Sequence, residues 1–305
     1  MRLTVSSIAT AILLSAAPGA ARAQAFVEGE NSLSMGLSYT YAPSGKLLME
    51  DSFEIPNIKI LAHTVSLDVE YDTPVPGLAV DGRLDMVGVK LGSDSFPHFP
   101  SPGPYDDGDF HFTPTDLRAG LRYQIKPIEK IVGLSLVAAG SIPTHDYPTF
   151  GLTAPGHGLK AFILGANIAR TFDPLLPRLF VAGTYEYAFR EKVDVDPETE
   201  KFPRNFSSIS AQLGYFITDR LEVDAAANWR ISHGGATFLG LTTEPMVVLL
   251  HHDQLLDEDF FLVGGDVGYQ ITDELGLAAG ARIFVSGENT RNQNLFGISA
   301  HYLVF

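Results

Sequence analysis

From residue 221 to 232 the chain reads LEVDAAANWRIS, and its apolar side chains fall on every second position. Leu221, Val223, Ala225, Ala227, Trp229 and Ile231 alternate with Glu222, Asp224, Asn228, Arg230 and Ser232, with Ala226 neutral. Successive side chains of a strand point to opposite faces, so this period of two predicts a strand with one greasy and one polar face. The period returns along the chain. Leu33, Met35, Leu37, Tyr39 and Tyr41 carry it in 31–42, and Leu61, Val65, Leu67, Val69 and Tyr71 in 61–71, where His63 is an exception. Leu117, Ala119, Leu121, Tyr123 and Ile125 carry it in 116–125, and Leu179, Val181, Tyr185, Tyr187 and Phe189 in 179–190. Segments 207–217, 260–271, 275–286 and 295–305 follow suit. Segment 78–90 is looser, and 131–142 and 159–170 are so apolar that their two faces are hard to tell apart. The total is about twelve strands.

The connections indicate which solvent the greasy faces meet. Long ones fall near 43–60, 92–115, 143–158, 191–206 and 233–259, and short ones (DTPVPG, KPIEK, FDPLLP, TDR, TDE) lie between them. GENTRNQN is the shortest connection on the long-loop side. Regular alternation of long and short loops is what an outer-membrane barrel shows, with long extracellular loops and tight periplasmic turns. Aromatic placement is an independent test. With strands running alternately up and down, Tyr39, Tyr41, Tyr187, Phe189, Trp229 and Phe261 gather near the outer ends, and Tyr71, Tyr123, Tyr215 and Tyr269 near the inner ends. Two such bands match the interfacial girdles of a barrel. The expected fold is therefore all-β: a transmembrane antiparallel up-and-down β-barrel occupying residues 24–305, its greasy face against outer-membrane lipid.

Two neighbouring hairpins, GYFITDRLEVDAAANWR and GYQITDELGLAAGARI, share a Gly-Tyr, an Ile-Thr, an acidic turn and a Leu-led return strand. Thr and Asp suit a tight turn because their side chains bond nearby backbone amides. The tyrosine–turn–leucine pattern resembles many Gram-negative outer-membrane barrels. With the chain length, it is similar to the transporter-like MetA-pathway of phenol degradation family. The C-terminal HYLVF ends in an aromatic residue, as do barrels handed to the outer-membrane assembly machinery. Its phase is awkward, because Phe305 falls on the face of Ser299 and His301 rather than with Phe296, Ile298, Ala300, Tyr302 and Val304.

Arg2, the apolar run LTVSSIATAILLSAA and the small-x-small ARA at 21–23 read as a signal peptide over residues 1–23. No later stretch approaches the roughly 20 apolar residues of a spanning helix. Cysteine is absent, which excludes disulfides and thiolate metal sites. Without its signal peptide the chain keeps 19 basic against 36 acidic residues, a net charge near −17. On the polar strand faces stand Arg83, Arg118, Arg122, Lys160, Arg170, Arg190, Arg230 and Arg282, against Asp68, Glu70, Asp81, Asp85, Asp116, Glu186, Glu222, Asp224 and Asp266. This near balance predicts charge pairs crossing a narrow or partly plugged lumen, since an ion without a partner is costly to desolvate.

The negative excess then belongs to the loops, most densely in YDDGDFHFTPTD (105–116) and HHDQLLDEDF (251–260). Oxygen ligands at short spacing could hold divalent ions, although neither stretch has the spacing of a helix–loop–helix calcium site. The blander reading is a solvated outer face bridged by ions to lipopolysaccharide. Residues 233–257 are apolar for an exposed loop, and 92–104 are rich in Phe and Pro. Such loops could turn inward as a constriction, pack as a lid, dip toward the membrane or receive a small hydrophobic substrate. Chemistry finds little support. Ser299 and His301 lack the third member of a hydrolase set, and His251, His252 and Asp253 near Asp106 or Asp107 form only a loose cluster. No cofactor or metal motif is present, and the charge has the wrong sign for nucleic acid. The expected function is an outer-membrane channel for small molecules, hydrophobic ones included. The alternative is a surface-interaction barrel with a plugged lumen.

Overall fold

A computed structural model describes residues 31–49, 54–92, 103–128, 132–172, 174–193, 203–235 and 251–305. The expected signal peptide, most of the 92–104 loop and the middle of the 233–257 loop lie outside them. The strands are β1 (Ser32–Leu48), β2 (Glu54–Asp72), β3 (Leu78–Leu91), β4 (His111–Ile128), β5 (Val132–Pro143), β6 (Ala161–Phe172) and β7 (Leu176–Arg190). They continue as β8 (Phe206–Phe216), β9 (Leu221–Ser232), β10 (Asp259–Gln270), β11 (Leu275–Glu288), β12 (Thr290–Gln293) and β13 (Leu295–Leu303), with a one-turn helix α1 (His252–Leu255) before β10. Each long strand pairs antiparallel with its chain neighbours. β1 pairs with both β2 and β13, which closes the sheet into a twelve-stranded barrel with β12 as an extra short strand.

Closure removes every free edge of the wall, which a strand in lipid requires because no water is there to satisfy an open N–H or C=O. The greasy positions lie outside: Leu37 is 56 % accessible, Leu121 51 %, Leu213 52 % and Ile298 59 %, values that only lipid contact explains. Serines, threonines and ions on the other face are buried within. Trp229 meets Phe261 edge-on at 6.5 Å, and Tyr41 stacks on Phe296 at 6.4 Å, in the outer aromatic band. His63, the exception in β2, stands in this band and takes its place through Nδ1, 2.6 Å from the Tyr39 hydroxyl. At the inner end the Thr-Asp turns close through their threonines. Thr218 Oγ1 accepts from the amides of Arg220 and Leu221 at 3.2 and 3.0 Å, and Thr272 Oγ1 from those of Glu274 and Leu275 at 3.2 and 3.1 Å. Tyr302, Val304 and Phe305 are all exposed at this end, and β13 stops at Leu303. The last two residues stay hydrogen-bonded to Leu33 of β1 at the rim, where Val304 and Phe305 are both exposed whichever face they follow.

Two features depart from the sequence reading. The expected loop at 43–60 is mostly strand: β1 and β2 stay paired out to Leu48↔Glu54, and β12 lies against the same extension of β1 at Leu48↔Thr290. The inward face also changes character along its height. In β2 it runs from Asp68 and Ser66 through Thr64 to Ala62, Ile60 and Ile58, and in β3 from Arg83 and Asp85 to Val87 and Val89. On these strands the lumen is ionic in its inner part and apolar toward its outer end. This is why segments 131–142 and 159–170 resist phasing: Val137, Ala139 and Ile163 point inward while Leu134, Leu136, Phe162 and Leu164 point outward.

Candidate functional site: the barrel lumen and its outer lid

The inner lumen is braced by arginine–carboxylate pairs. Arg83 donates through Nε to Asp85 at 2.9 Å, through Nη1 to Asp68 at 3.2 Å and through Nη2 to Ser66 at 2.7 Å. Arg122 on β4 donates to Glu70 on β2, reaching past β3. Arg282 forms a fork on Asp266, at 3.1 and 2.5 Å, and adds Asn228 at 3.3 Å. Arg118 holds Glu186 by two bonds of 3.1 and 2.6 Å, from β4 to β7 with two strands between. Such bidentate pairs are the strong and geometrically specific ones.

Glycines make two of these reaches possible. Glu186 pairs in register with Gly165 on β6, where an added Cβ would lie 2.6 Å from the Tyr185 carbonyl oxygen and 2.9 Å from the Glu186 Cγ. The bare position lets the Glu186 side chain lean across β6 toward β4. Likewise Asp266 lies over Gly280, where a Cβ would sit 1.6 Å from its Oδ1. Asp224 stands directly opposite Asp266 in the β9–β10 ladder, and Glu222 is buried deeper on the same strand.

Lys160 and Arg170, counted above among the lumen charges, are exposed instead. Arg170 faces outward near the inner end, 5.3 Å from the centre of the Phe172 ring. The doubly apolar segment 159–170 concealed its phase. The barrel interior gains other ions from the loops and from β12, with Arg204, Glu258 and Arg291 all buried at the outer end. Strand periodicity gives no signal for them.

Above the ionic zone sits an apolar collar of Ala42, Ala62, Val87, Val89, Phe260, Leu262 and Leu295. Higher still, Leu47, Met49, Ile58, Ile60 and Leu256 pack together with Leu152 from the 144–160 loop. Loop segments tie this lid shut. The Asp106 carboxylate accepts from the amides of Leu152 and Thr153, both at 2.8 Å, and from the Thr153 hydroxyl at 2.5 Å. Gly151 holds φ +104°, and a Cβ there would stand 2.7 Å from the Gly103 Cα, so the clasp needs a glycine. Tyr147 donates its hydroxyl to Asp116 at 2.5 Å and accepts the Gly158 amide at 3.0 Å. Burial pushes the Tyr147 hydroxyl well above its ordinary pKa, and the Asp116 charge adds to this.

The acidic stretches therefore spend much of their charge internally. Asp257 accepts from Asn289 at 2.7 Å, Glu258 from Thr290 at 3.3 Å, and Asp259 from the Ser232 amide at 2.6 Å. Asp107 holds His111 at 2.8 Å, and the Asp109 amide and His111 keep its carboxyl below the usual range. Among the described residues no three metal-ligating side chains come together. The described end of the 233–257 loop turns inward, with Leu255 and Leu256 buried. Ser299 faces the interior opposite Ser38, away from the lipid wall where a barrel lipase would act. His251 packs against Phe150 at 5.9 Å, and the side chains of His252 and Asp253 lie outside the described residues.

A closed antiparallel wall, apolar outside and ionic within, defines an outer-membrane β-barrel. Among solved structures the fold is similar to that of the COG4313 outer membrane channel from Pseudomonas putida F1, with a TM-score of 0.71 at 9 % identity, covering 92 % of this chain and 97 % of that one. It is also similar to the NanC porin, with a TM-score of 0.51 at 9 % identity over 88 % and 98 % of the two chains. At these identities the likeness concerns the fold. No family description and no curated protein sequence matches the chain.

Proposed function

We propose that this protein is an outer-membrane channel for small molecules, exported by the signal peptide at 1–23 and resident in the outer membrane. The observation that carries the reading is the layered lumen: ion pairs laid along the inner wall, and above them a collar and lid that pack without covalent ties. That one fold relative is an outer membrane channel and the other a porin supports the same reading. Residues that would line the path are Arg83, Asp85, Arg118, Arg122, Glu186, Glu222, Asp224, Asp266 and Arg282, with Arg190 and Arg230 at its outer threshold.

A specific observation favours a second reading, a surface-interaction barrel with a closed lumen: apolar side chains of the strands and of the described loop segments pack together at the outer end. Planar-bilayer recording separates the two. The channel reading expects small unitary conductance that changes when Arg118 or Arg122 is replaced and rises when the lid is loosened by Asp106→Ala. Silence of both the native protein and the loosened variant, with no solute uptake into proteoliposomes, would remove it.

A further inference from the structure

On the outward side of β1, β2 and β3 the outer aromatic band forms a continuous pavement. His63 meets Phe110 edge-on at 5.2 Å, and Phe110 stacks on Phe112 at 6.0 Å. Tyr41 lies between His63, at 5.3 Å, and Phe296, at 6.4 Å. Phe112 covers Gly88 on β3, where a Cβ would stand 2.1 Å from the ring Cε1, so the pavement needs bare backbone at that point. Phe110 and Phe112 remain 41 and 59 % accessible, as side chains turned to lipid do.

Immediately above the pavement the wall becomes basic. Lys90 follows the inward Val89, and Lys59 stands between the inward Ile58 and Ile60, so alternation turns both lysines outward. An irregularity between Ser44 and Lys46 turns Lys46 outward beside the inward Leu47. Asn292 Oδ1 fixes it there by accepting the Gly45 and Lys46 amides at 3.1 and 2.9 Å. Register gathers the three on adjoining strands. Lys90 pairs with Leu61, whose outward neighbours along β2 are Lys59 and His63, and Lys46 pairs with Pro56 on the same strand. The Lys90 Nζ stands 5.4 Å from the centre of the Phe110 ring, which joins the basic tier to the aromatic one. Among the described residues of β1, β2 and β3, the outward positions above the band carry a single carboxylate, Glu54, which meets Lys46 at 2.6 Å in solvent. In a chain of net charge −15 this face is a local reversal of sign.

We infer that this face seats a lipopolysaccharide molecule of the outer leaflet, its sugar phosphates on Lys46, Lys59 and Lys90 and its acyl chains on the aromatic pavement below. Belt aromatics mark the boundary between acyl chains and headgroups. One outward step along a strand rises about 7 Å, which brings the lysines from that boundary to the depth of the phosphates. Lysine binds phosphate as a point charge, and basic residues at the membrane face recognise anionic headgroups. The sequence reading placed lipopolysaccharide against the acidic loops through bridging ions, whereas this contact is direct. It holds whether or not the lumen conducts.

The test is thermal unfolding and native mass spectrometry of the complete protein in detergent, with and without EDTA. The probes are bis-phosphorylated lipid A, the same lipid A stripped of phosphate, and phosphatidylglycerol. Bis-phosphorylated lipid A is expected to raise Tm and to bind at least about tenfold more tightly than either other probe, in EDTA as without it. Lys59→Ala combined with Lys90→Ala is expected to abolish that preference, while Lys160→Ala, an exposed lysine beside β6, leaves it intact. Equal binding of the three probes would show an unspecific lipid belt and overturn the inference. Binding that requires divalent ions and ignores the lysine substitutions would return lipopolysaccharide to the acidic loops and overturn it as well. Should the double variant fail to fold, Lys59→Ala alone and the comparison of probes on the native protein decide.

Discussion

The inner and outer parts of the lumen are built from the same inward strand positions but solve opposite problems. In the inner part the wall carries Arg83, Arg118, Arg122 and Arg282, and each takes a carboxylate: Arg83 on its own strand, Arg282 on the adjacent one, and Arg122 and Arg118 across one and two strands. In the outer part the same faces carry Val87, Val89, Phe260 and Leu262, and the loops close over them. The first is rigid because a buried ion cannot leave its partner cheaply. The second is held by dispersion and by a few loop hydrogen bonds, which part more readily. On the proposed channel reading, a gate belongs in the second kind of material and a selective lining in the first.

The comparison can be broken most forcefully at Arg282, which is 1 % accessible and forked on Asp266. Arg282→Met leaves Asp266 facing Asp224 without its cation. Removing one partner of a buried pair is expected to lower unfolding stability by about 3–5 kcal/mol, read from denaturant titration in detergent. A loss below about 1 kcal/mol would show the inner lattice to be hydrated and replaceable. In the outer part, Leu256→Ala is expected to remove about 2–5 kcal/mol from lid packing and to raise open probability in bilayers, whereas Arg282→Met should not open the lid. Equal gating effects would erase the division between the two regions.

Acidification sharpens the contrast. His157 has a folded pKa below its unfolded value of 6.5, so the unfolded or opened state binds protons first as pH falls. Its neutral burial therefore stabilises the lid fully above that value and loses about 1.4 kcal/mol per pH unit below it. Open probability should climb below pH 6.5 in the native protein and stay flat in His157→Gln. The smallest effect is expected at the lid's rim, where Lys46 and Glu54 meet at 2.6 Å in solvent. Glu54→Gln should change stability by less than about 1 kcal/mol and leave conductance unaltered.

Much of this barrel is legible from alternation alone, because a strand with a period of two and a regular long–short loop rhythm has one good solution in lipid. Leu37, Leu121 and Trp229 could be placed on the outer wall, and Arg83, Arg118 and Arg282 on the inner one, from alternation alone. The reading failed where both faces are apolar, as with Arg170, and where pairing continues past the membrane, as in β1 and β2 above residue 43. In those stretches a period of two carries no sign of which side is which.

The fold class and the ionic character of the lumen are properties of local order, and the order of residues determined them. Which arginine finds which carboxylate was decided by closure. Arg118 meets Glu186 only because the sheet curls and Gly165 leaves room for the reach, and Asp106 meets Thr153 only because two loops converge over the mouth. Periodicity records which face a side chain occupies. Partners across a lumen are set by curvature and register, which no single segment contains.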